Sequence, residues 1–297
     1  MQPVIGIGAA TWDHFYVVDA FPHSEGVVQA RANSFTGGGP VATALSVIAA
    51  HQLPTQLLDV QGDDLIGQSI RQELLAQGVG LDALDVQAGA SSAHAVVLVR
   101  AHDAARHITY FPSSAPALIL SEAQRSLIAR ASMLHLNGRH EEAAREAVAI
   151  ARQNAVPISF DGGAGRYRES IRDLVEACAL RIVALDFARQ FTGEDDLALM
   201  AKALLQGPAQ VVVITDGVRG SHVWPSTGEV FHQPAFDASP VIDTTGCGDV
   251  FHGAFIAAWL QQHSLRECAE HASRLAARNA EGLGGRFVLR HTLGLSG

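Results

Sequence analysis

What the chain has little of narrows the field first. Its 297 residues include three cysteines, Cys178, Cys247 and Cys268, widely spaced and without a Cys-x-x-Cys pair. That pattern argues for reduced thiols and against a disulfide framework. No apolar run reaches the roughly 18 residues that span a bilayer. Val4 to Ala10 is short and has no basic stretch before it, so it reads as a strand and not as a signal peptide. A cytoplasmic protein with no membrane partner is the expectation. Positive charge is also scarce: 21 Lys and Arg stand against 30 Asp and Glu, a formal net charge of −9. A general nucleic-acid surface needs many Lys and Arg contacts to phosphates, so no nucleic-acid partner is expected. The 14 histidines form no His-Glu-x-x-His helix, and His140-Glu141 lacks its second histidine. Gly6-Ile-Gly8-Ala-Ala-Thr11 lacks the last glycine of the dinucleotide fingerprint. No repeat with a period of 20–50 residues is visible.

What is present suits one α/β domain over 1–297. Hydrophobic residues make up 48% and charged residues 17%, enough to bury a sizeable core. Val4 to Gly8 opens as a buried strand. From Ser121 onward helices and strands alternate: helix 121–131, strand 133–136, helix 141–154, strand 156–160, helix 168–178, strand 181–185, helix 195–206 and strand 210–215. Such alternation implies βαβ crossovers and a mostly parallel sheet covered on both faces. Its carboxyl edge would collect Asp13, Asn137-Gly-Arg139, Asp161, Asp186 and Thr215-Asp-Gly217, where open sheets bind ligands. Asp13 is expected just past the first strand. His94 to Arg100 and His107 to Phe111 read as a hairpin.

The chain is organised around Asp243-Thr-Thr-Gly-Cys-Gly-Asp249, a tight loop running into an apolar helix. Its end carries unpaired N–H groups and partial positive charge, so Gly246, Cys247 and Gly248 can offer backbone donors to an anion. Asp249 has two readings: the helix N-cap, or a base that takes a proton from a hydroxyl beside the bound phosphate. Thr36-Gly-Gly-Gly39-Pro40 leads into a second helix, with proline near its first position. Asp64 is the expected N-cap of the helix through Gln77.

Gly37-Gly38 before a helix, Gly62-x-Asp64-x-x-Gly67, Thr215-x-Gly217-x-x-Gly220 and Asp243-Thr-Thr-Gly246-x-Gly248-Asp249 together resemble the ribokinase-like (PfkB) carbohydrate kinases, over essentially the whole chain. The resemblance implies a three-layer α/β/α sandwich with a small β-sheet lid, here segments 13–35 and 92–112, that often forms a homodimer interface. It implies ATP and Mg²⁺ as cofactors and a small-molecule sugar as substrate. Asp249 matches the catalytic base and Gly246, Cys247 and Gly248 the anion hole. Asp13, Gly38 and Gly39 fall at or beside sugar-binding positions, and Thr215, Gly217 and Gly220 at the nucleotide turn. Asp243 and Thr245 fall where many members bind a monovalent cation, usually K⁺.

The departures concern substrate and nucleotide. Ala42 stands where an asparagine is common, Gly39 where a basic residue often follows the glycine pair, and Asn137 where ribokinase has a sugar-contacting glutamate. The Asn-x-x-Glu motif is missing near 184–188, leaving Asp186 as the only carboxylate. A sulfofructose kinase-like branch is nearer still, with Tyr110 replacing its asparagine and Arg139 offset from its arginine, free to bind an anionic substituent. The acceptor therefore stays open among sugars and nucleosides, and a non-catalytic sugar sensor on the same fold is the rival. Cys247, at a helix N-terminus, is expected either to have a lowered pKa and be open to oxidation or to be a small inert thiol.

Overall fold

The computed structural model describes residues 1–291. Its strands and helices follow in the order β1 (Val4–Ile7), β2 (Thr11–Val18), β3 (Ala32–Gly38), α1 (Pro40–Ala50), β4 (Thr55–Leu58), β5 (Val60–Gly62), α2 (Leu65–Ala76), β6 (Asp85–Gln87), β7 (His94–Arg100) and β8 (Arg106–Phe111). Then come α3 (Glu122–Ala129), β9 (Met133–Leu136), α4 (Glu141–Gln153), β10 (Ile158–Gly162), α5 (Arg172–Glu176), β11 (Leu180–Ala184), α6 (Leu185–Thr192) and α7 (Leu197–Leu204). The chain continues through β12 (Val211–Thr215), β13 (Ser221–Pro225), β14 (Phe231–Gln233), α8 (Cys247–Leu260), α9 (Leu265–Asn279) and α10 (Phe287–His291).

Eight strands form the main sheet in the order β14-β13-β12-β11-β10-β9-β1-β4. The six from β12 to β4 pair in parallel, and β13 and β14 add an antiparallel edge. Alternation along each strand splits the core in two. Ile5, Ile7, Leu134, Phe160 and Ile214 pack with α3 to α7 on one face. Val4, Met133, Ile182 and Val213 pack with α1, α2, α8, α9 and α10 on the other. Helices on both faces of a mostly parallel sheet make the three-layer α/β/α architecture.

The chain leaves β1 toward β4 on one side and returns to β9 on the other. The strand order therefore reverses between β1 and β9, which opens a crevice at the carboxyl edge. Two glycines let the helices that frame this crevice come close. A Cβ on Gly6 would lie 2.5 Å from Val41 of α1, and one on Gly253 of α8 would lie 2.5 Å from the Ala44 carbonyl of α1. Asp64 caps α2 as expected: its Oδ1 accepts the Gly67 N–H at 2.8 Å, and its Oδ2 accepts that of Ser92 at 3.0 Å.

A separate four-stranded sheet, β3-β2-β7-β8, rises beside the crevice. The hairpin β7–β8 is antiparallel, and β2 joins it by parallel pairing with β7. Two expectations fail, the position of Asp13 and the helix over 168–178. Asp13 lies inside β2, opposite Thr36 and Ala95, and not just past β1, because the chain turns into the second sheet within three residues of Gly8. Asp186 follows β11 at the carboxyl edge as expected, but at the start of α6, into which β11 passes without a loop; Phe187, Ala188 and Phe191 bury one face of that helix. The helix expected over 168–178 is a 3₁₀ turn (Glu169–Ile171) followed by α5.

Candidate active site

The loop before α8 is pinned from several directions. Asp243 is fully buried; its Oδ1 accepts from the Thr245 N–H at 2.9 Å and the Thr245 hydroxyl at 2.7 Å, and its Oδ2 accepts from Gly284 N at 3.0 Å. Asn279 Nδ2 donates to the Thr245 carbonyl at 3.0 Å, and Arg106 Nη1 of β8 donates to Thr245 Oγ1 at 3.2 Å. Gly246, the N-cap of α8, sits at φ 73°, where only glycine is at ease, and a Cβ there would strike the Gly285 carbonyl. The amides of Gly248 and Asp249 have no acceptor among the described residues. They open α8 as a concave set of donors with the helix dipole behind them, which suits an anion such as phosphate.

Asp249 is not the cap. It occupies the first turn of α8 and makes no capping hydrogen bond; its Oδ1 lies 3.7 Å from Arg166 Nη1. The same Nη1 lies 3.7 Å from Asp161 Oδ2 at the end of β10. Asp161 is buried with neither carboxylate oxygen hydrogen-bonded among the described residues. Burial raises the Asp249 pKa; Arg166 opposes this, Asp161 adds to it, and His252 and Arg286 oppose it. For Arg166 burial works against the charge, but the two carboxylates outweigh it and the guanidinium pKa rises. Arg166 was missed in the sequence, although it is the one cation in the glycine-rich loop Asp161-Gly-Gly-Ala-Gly-Arg166.

Asp13 lines the neighbouring wall. It stands in one row across the second sheet, Thr36–Asp13–Ala95–Tyr110, on one face. A Cβ on Gly38 would collide with its carboxylate, so glycine leaves that oxygen approachable. Burial pushes the Asp13 carboxyl up to about 6; a hydrogen bond with Thr11 and the charge of Arg286 restrain the rise, and Asp249 and Glu73 add to it. Gly39 takes φ 90° and has no room for a Cβ against the Ala9 carbonyl. Arg286 holds this wall from behind: it is 1% exposed and donates to Thr43 Oγ1, Gln77 Oε1 and the Gly38 carbonyl. Glu73 accepts from the Thr36 hydroxyl at 3.1 Å and from the Gly37 N–H. Arg286 and Glu73 also escaped the sequence reading, since neither sits in a motif.

The other expected residues line the same carboxyl edge. Asn137 follows β9, its Oδ1 accepting from Arg139 N at 3.1 Å. Arg139 is exposed at the rim of a small cavity it shares with Asp59, Gln61, Ser113 and His140, and its guanidinium has no partner among the described residues. Thr215 ends β12. The turn after it needs Gly217 at φ 55° and Gly220 at φ 88°, where a Cβ would strike the Gln233 carbonyl. Asp186 accepts from Gly165 N at 2.9 Å and from Gln190 Nε2 at 3.1 Å, which ties the α6 start to the Arg166 loop. Cys247 corrects the reactive-thiol reading. Burial, only partly offset by Asn279, pushes its thiol up to about 12; the effect of desolvation exceeds that of the helix end.

The model of the pfkB family carbohydrate kinases matches residues 1–291. An ATP-dependent ribose-1-phosphate kinase from Halopiger xanaduensis is 28% identical over 282 residues, 94% of this chain and 92% of that protein. Ribokinase of Arabidopsis thaliana is 25% identical over 286 residues, 93% of this chain and 75% of that protein. The solved structure of the Arabidopsis thaliana ribokinase with ribose and ATP superposes with a TM-score of 0.83 at 21% identity, covering 97% of this chain and 96% of the other.

Proposed function

Since the chain belongs to the pfkB family and is a carbohydrate kinase, we propose that it transfers the γ-phosphoryl group of ATP to a hydroxyl of a sugar carrying an anionic substituent, with Asp249 as the base. The observation that carries this reading is the position of Asp249: it does no capping, lies beside open amide donors and faces Arg166 at 3.7 Å. A carboxylate there can orient a hydroxyl and accept its proton late, as the new phosphoryl bond forms. The amides of Gly248 and Asp249, with Arg166, then meet the charge that spreads over the transferring oxygens, whereas the Cys247 N–H expected among them is held by the Thr244 carbonyl at 3.4 Å. Asp13 is set to accept from paired sugar hydroxyls. Thr215, Gly217 and Gly220 give the nucleotide an edge that lets its backbone approach.

The anionic acceptor is argued from Arg139, a guanidinium without a carboxylate partner at the crevice rim, and from the ribose-1-phosphate kinase of Halopiger, whose named substrate carries a phosphate. An Mg²⁺ ion fits the donors present. Magnesium needs only one or two carboxylates besides phosphate and water, and Asp186 lies at the edge with its oxygens bound, among the described residues, by Gly165 and Gln190. When bound, it would neutralise ATP oxygens. A monovalent cation fits poorly at Asp243 and Thr245. The Asp243 carboxylate is already satisfied on both oxygens, and the Thr245 hydroxyl donates to it while accepting from Arg106. No step is assigned to K⁺.

The test is ADP release over a panel of neutral, phosphorylated and sulfonated sugars with nucleosides included. Turnover should be highest on an anionic sugar, and Arg139→Ala should raise KM for that sugar far more than for its neutral analogue. Turnover confined to nucleosides would overturn the sugar assignment, and ATP binding without turnover on any acceptor would favour a sensor.

A further inference from the structure

Beneath the first turn of α8, His252 meets two groups that can only accept. Its Nδ1 lies 2.7 Å from the Gly248 carbonyl and its Nε2 lies 2.9 Å from the Ile182 carbonyl, with Asp161 Oδ1 at 3.5 Å. A neutral imidazole has one N–H, so one of those contacts would set a ring lone pair against a carbonyl lone pair. Only the doubly protonated ring satisfies both. The charge count points the same way. Asp161 and Asp249 bring two carboxylates to one guanidinium, Arg166; Arg286, which also acts on Asp249, is shared with Glu73 and Asp13, and Asp161 is buried with no hydrogen bond of its own among the described residues. A buried carboxylate lacking a counter-charge is costly. His135, the other titratable ring facing the cluster, cannot supply it. It lies 6.3 Å from the His252 ring, bonds Ser159 Oγ through one nitrogen, and is pushed down to about 4 by burial.

We propose that His252 is held as a buried imidazolium, the permanent counter-ion of Asp161, and that this makes it a positioning residue for phosphoryl transfer. With Asp161 balanced from below, Arg166 can leave it for an incoming phosphoryl group without stranding a buried negative charge. The same cation favours the ionised form of Asp249, 3.7 Å from Arg166, which must be ionised to accept a proton. This functional consequence rests on the proposed role of Asp249; the protonation state of the ring does not.

The experiment is nitrogen NMR of the full chain labelled with ¹⁵N-histidine, the His252 signals being assigned by their loss in His252→Gln. At pH 8, with exposed histidines neutral, His252 should still show two protonated ring nitrogens. A neutral ring with one unprotonated nitrogen at that pH overturns the proposal whatever the activity of the enzyme. In His252→Gln the acid limb of the kcat profile should move up by about one pH unit, because a nearby cation that favoured the carboxylate is lost. A loss of rate that is equal at every pH would mean a packing role and would overturn the positioning role. If Asp249→Asn remains active while the NMR result stands, the base assignment has failed and the imidazolium has not.

Discussion

Arg166 Nη1 lies 3.7 Å from Asp249 Oδ1 and the same distance from Asp161 Oδ2, so one guanidinium spans two carboxylates from different elements. Neither contact is a close ion pair, and the side chain remains 40% exposed. It is loosely held, as a group that must turn to a phosphate would need to be. Arg166→Gln should lower kcat by about 10²–10³, the usual loss for a charge-stabilising donor, with little change in melting temperature. Steady-state kinetics alongside calorimetry check this, and an unchanged kcat would remove Arg166 from the reaction.

Asp13 should give the free enzyme a pH dependence of its own. Its carboxyl titrates at about 6 in the fold against 3.8 ordinarily, so the folded state holds that proton more tightly. The sign is opposite to that of a salt-bridged aspartate: the contribution to stability is present at low pH and lost as pH rises through about 6. On the proposed role of Asp13, sugar binding needs the charged form, so sugar affinity should fall below about pH 6. Asp13→Asn should raise the melting temperature at pH 8 by removing a charge held at a cost on the order of a few kcal/mol, and weaken sugar binding. Calorimetry and sugar titration at pH 5, 6 and 8 test both.

Arg286 is a buried cation whose donors reach α1, α2 and the Gly38 loop. Arg286→Met keeps the volume and removes the charge, leaving Glu73 and Asp13 uncompensated. The expected cost is about 3–5 kcal/mol of unfolding free energy, measured by urea denaturation. A loss under 1 kcal/mol would show that the network is not what holds the glycine loop.

How much of this was legible in the sequence depends on whether a residue's role is local. The Asp64 cap, the hairpin of β7 and β8 and the glycine loop before α8 rest on neighbours within a few positions, and their patterns showed. Asp13 was misplaced because β2 follows β1 almost at once and mixes aromatic and polar residues instead of alternating cleanly. The α6 helix was missed because no turn residue separates it from β11. Arg166, Arg286 and Glu73 act on loops far away in the chain, and only the fold brings them there. Of the two readings of Cys247, the acidic one rested on the helix end alone, and burial, only partly offset by Asn279, favours the inert thiol.

A homodimer through the second sheet is a prediction open to test. On the face opposite Asp13, Phe35, Val96 and Phe111 are 44%, 38% and 52% exposed. Aromatic exposure of that kind on a small sheet is a usual mark of an interface. Val96→Lys should leave sedimentation equilibrium with a monomer where the parent chain gives a dimer; a parent chain that is already monomeric at tens of micromolar would contradict the interface.

The most direct test of the account is Asp249→Asn, which keeps the shape beside the amide donors and removes the acceptor. The expected result is a fall in kcat by about 10³ or more while ATP affinity, measured by calorimetry, changes by no more than a few-fold. Turnover near that of the parent enzyme, on the same sugar and with the same ATP affinity, would contradict it.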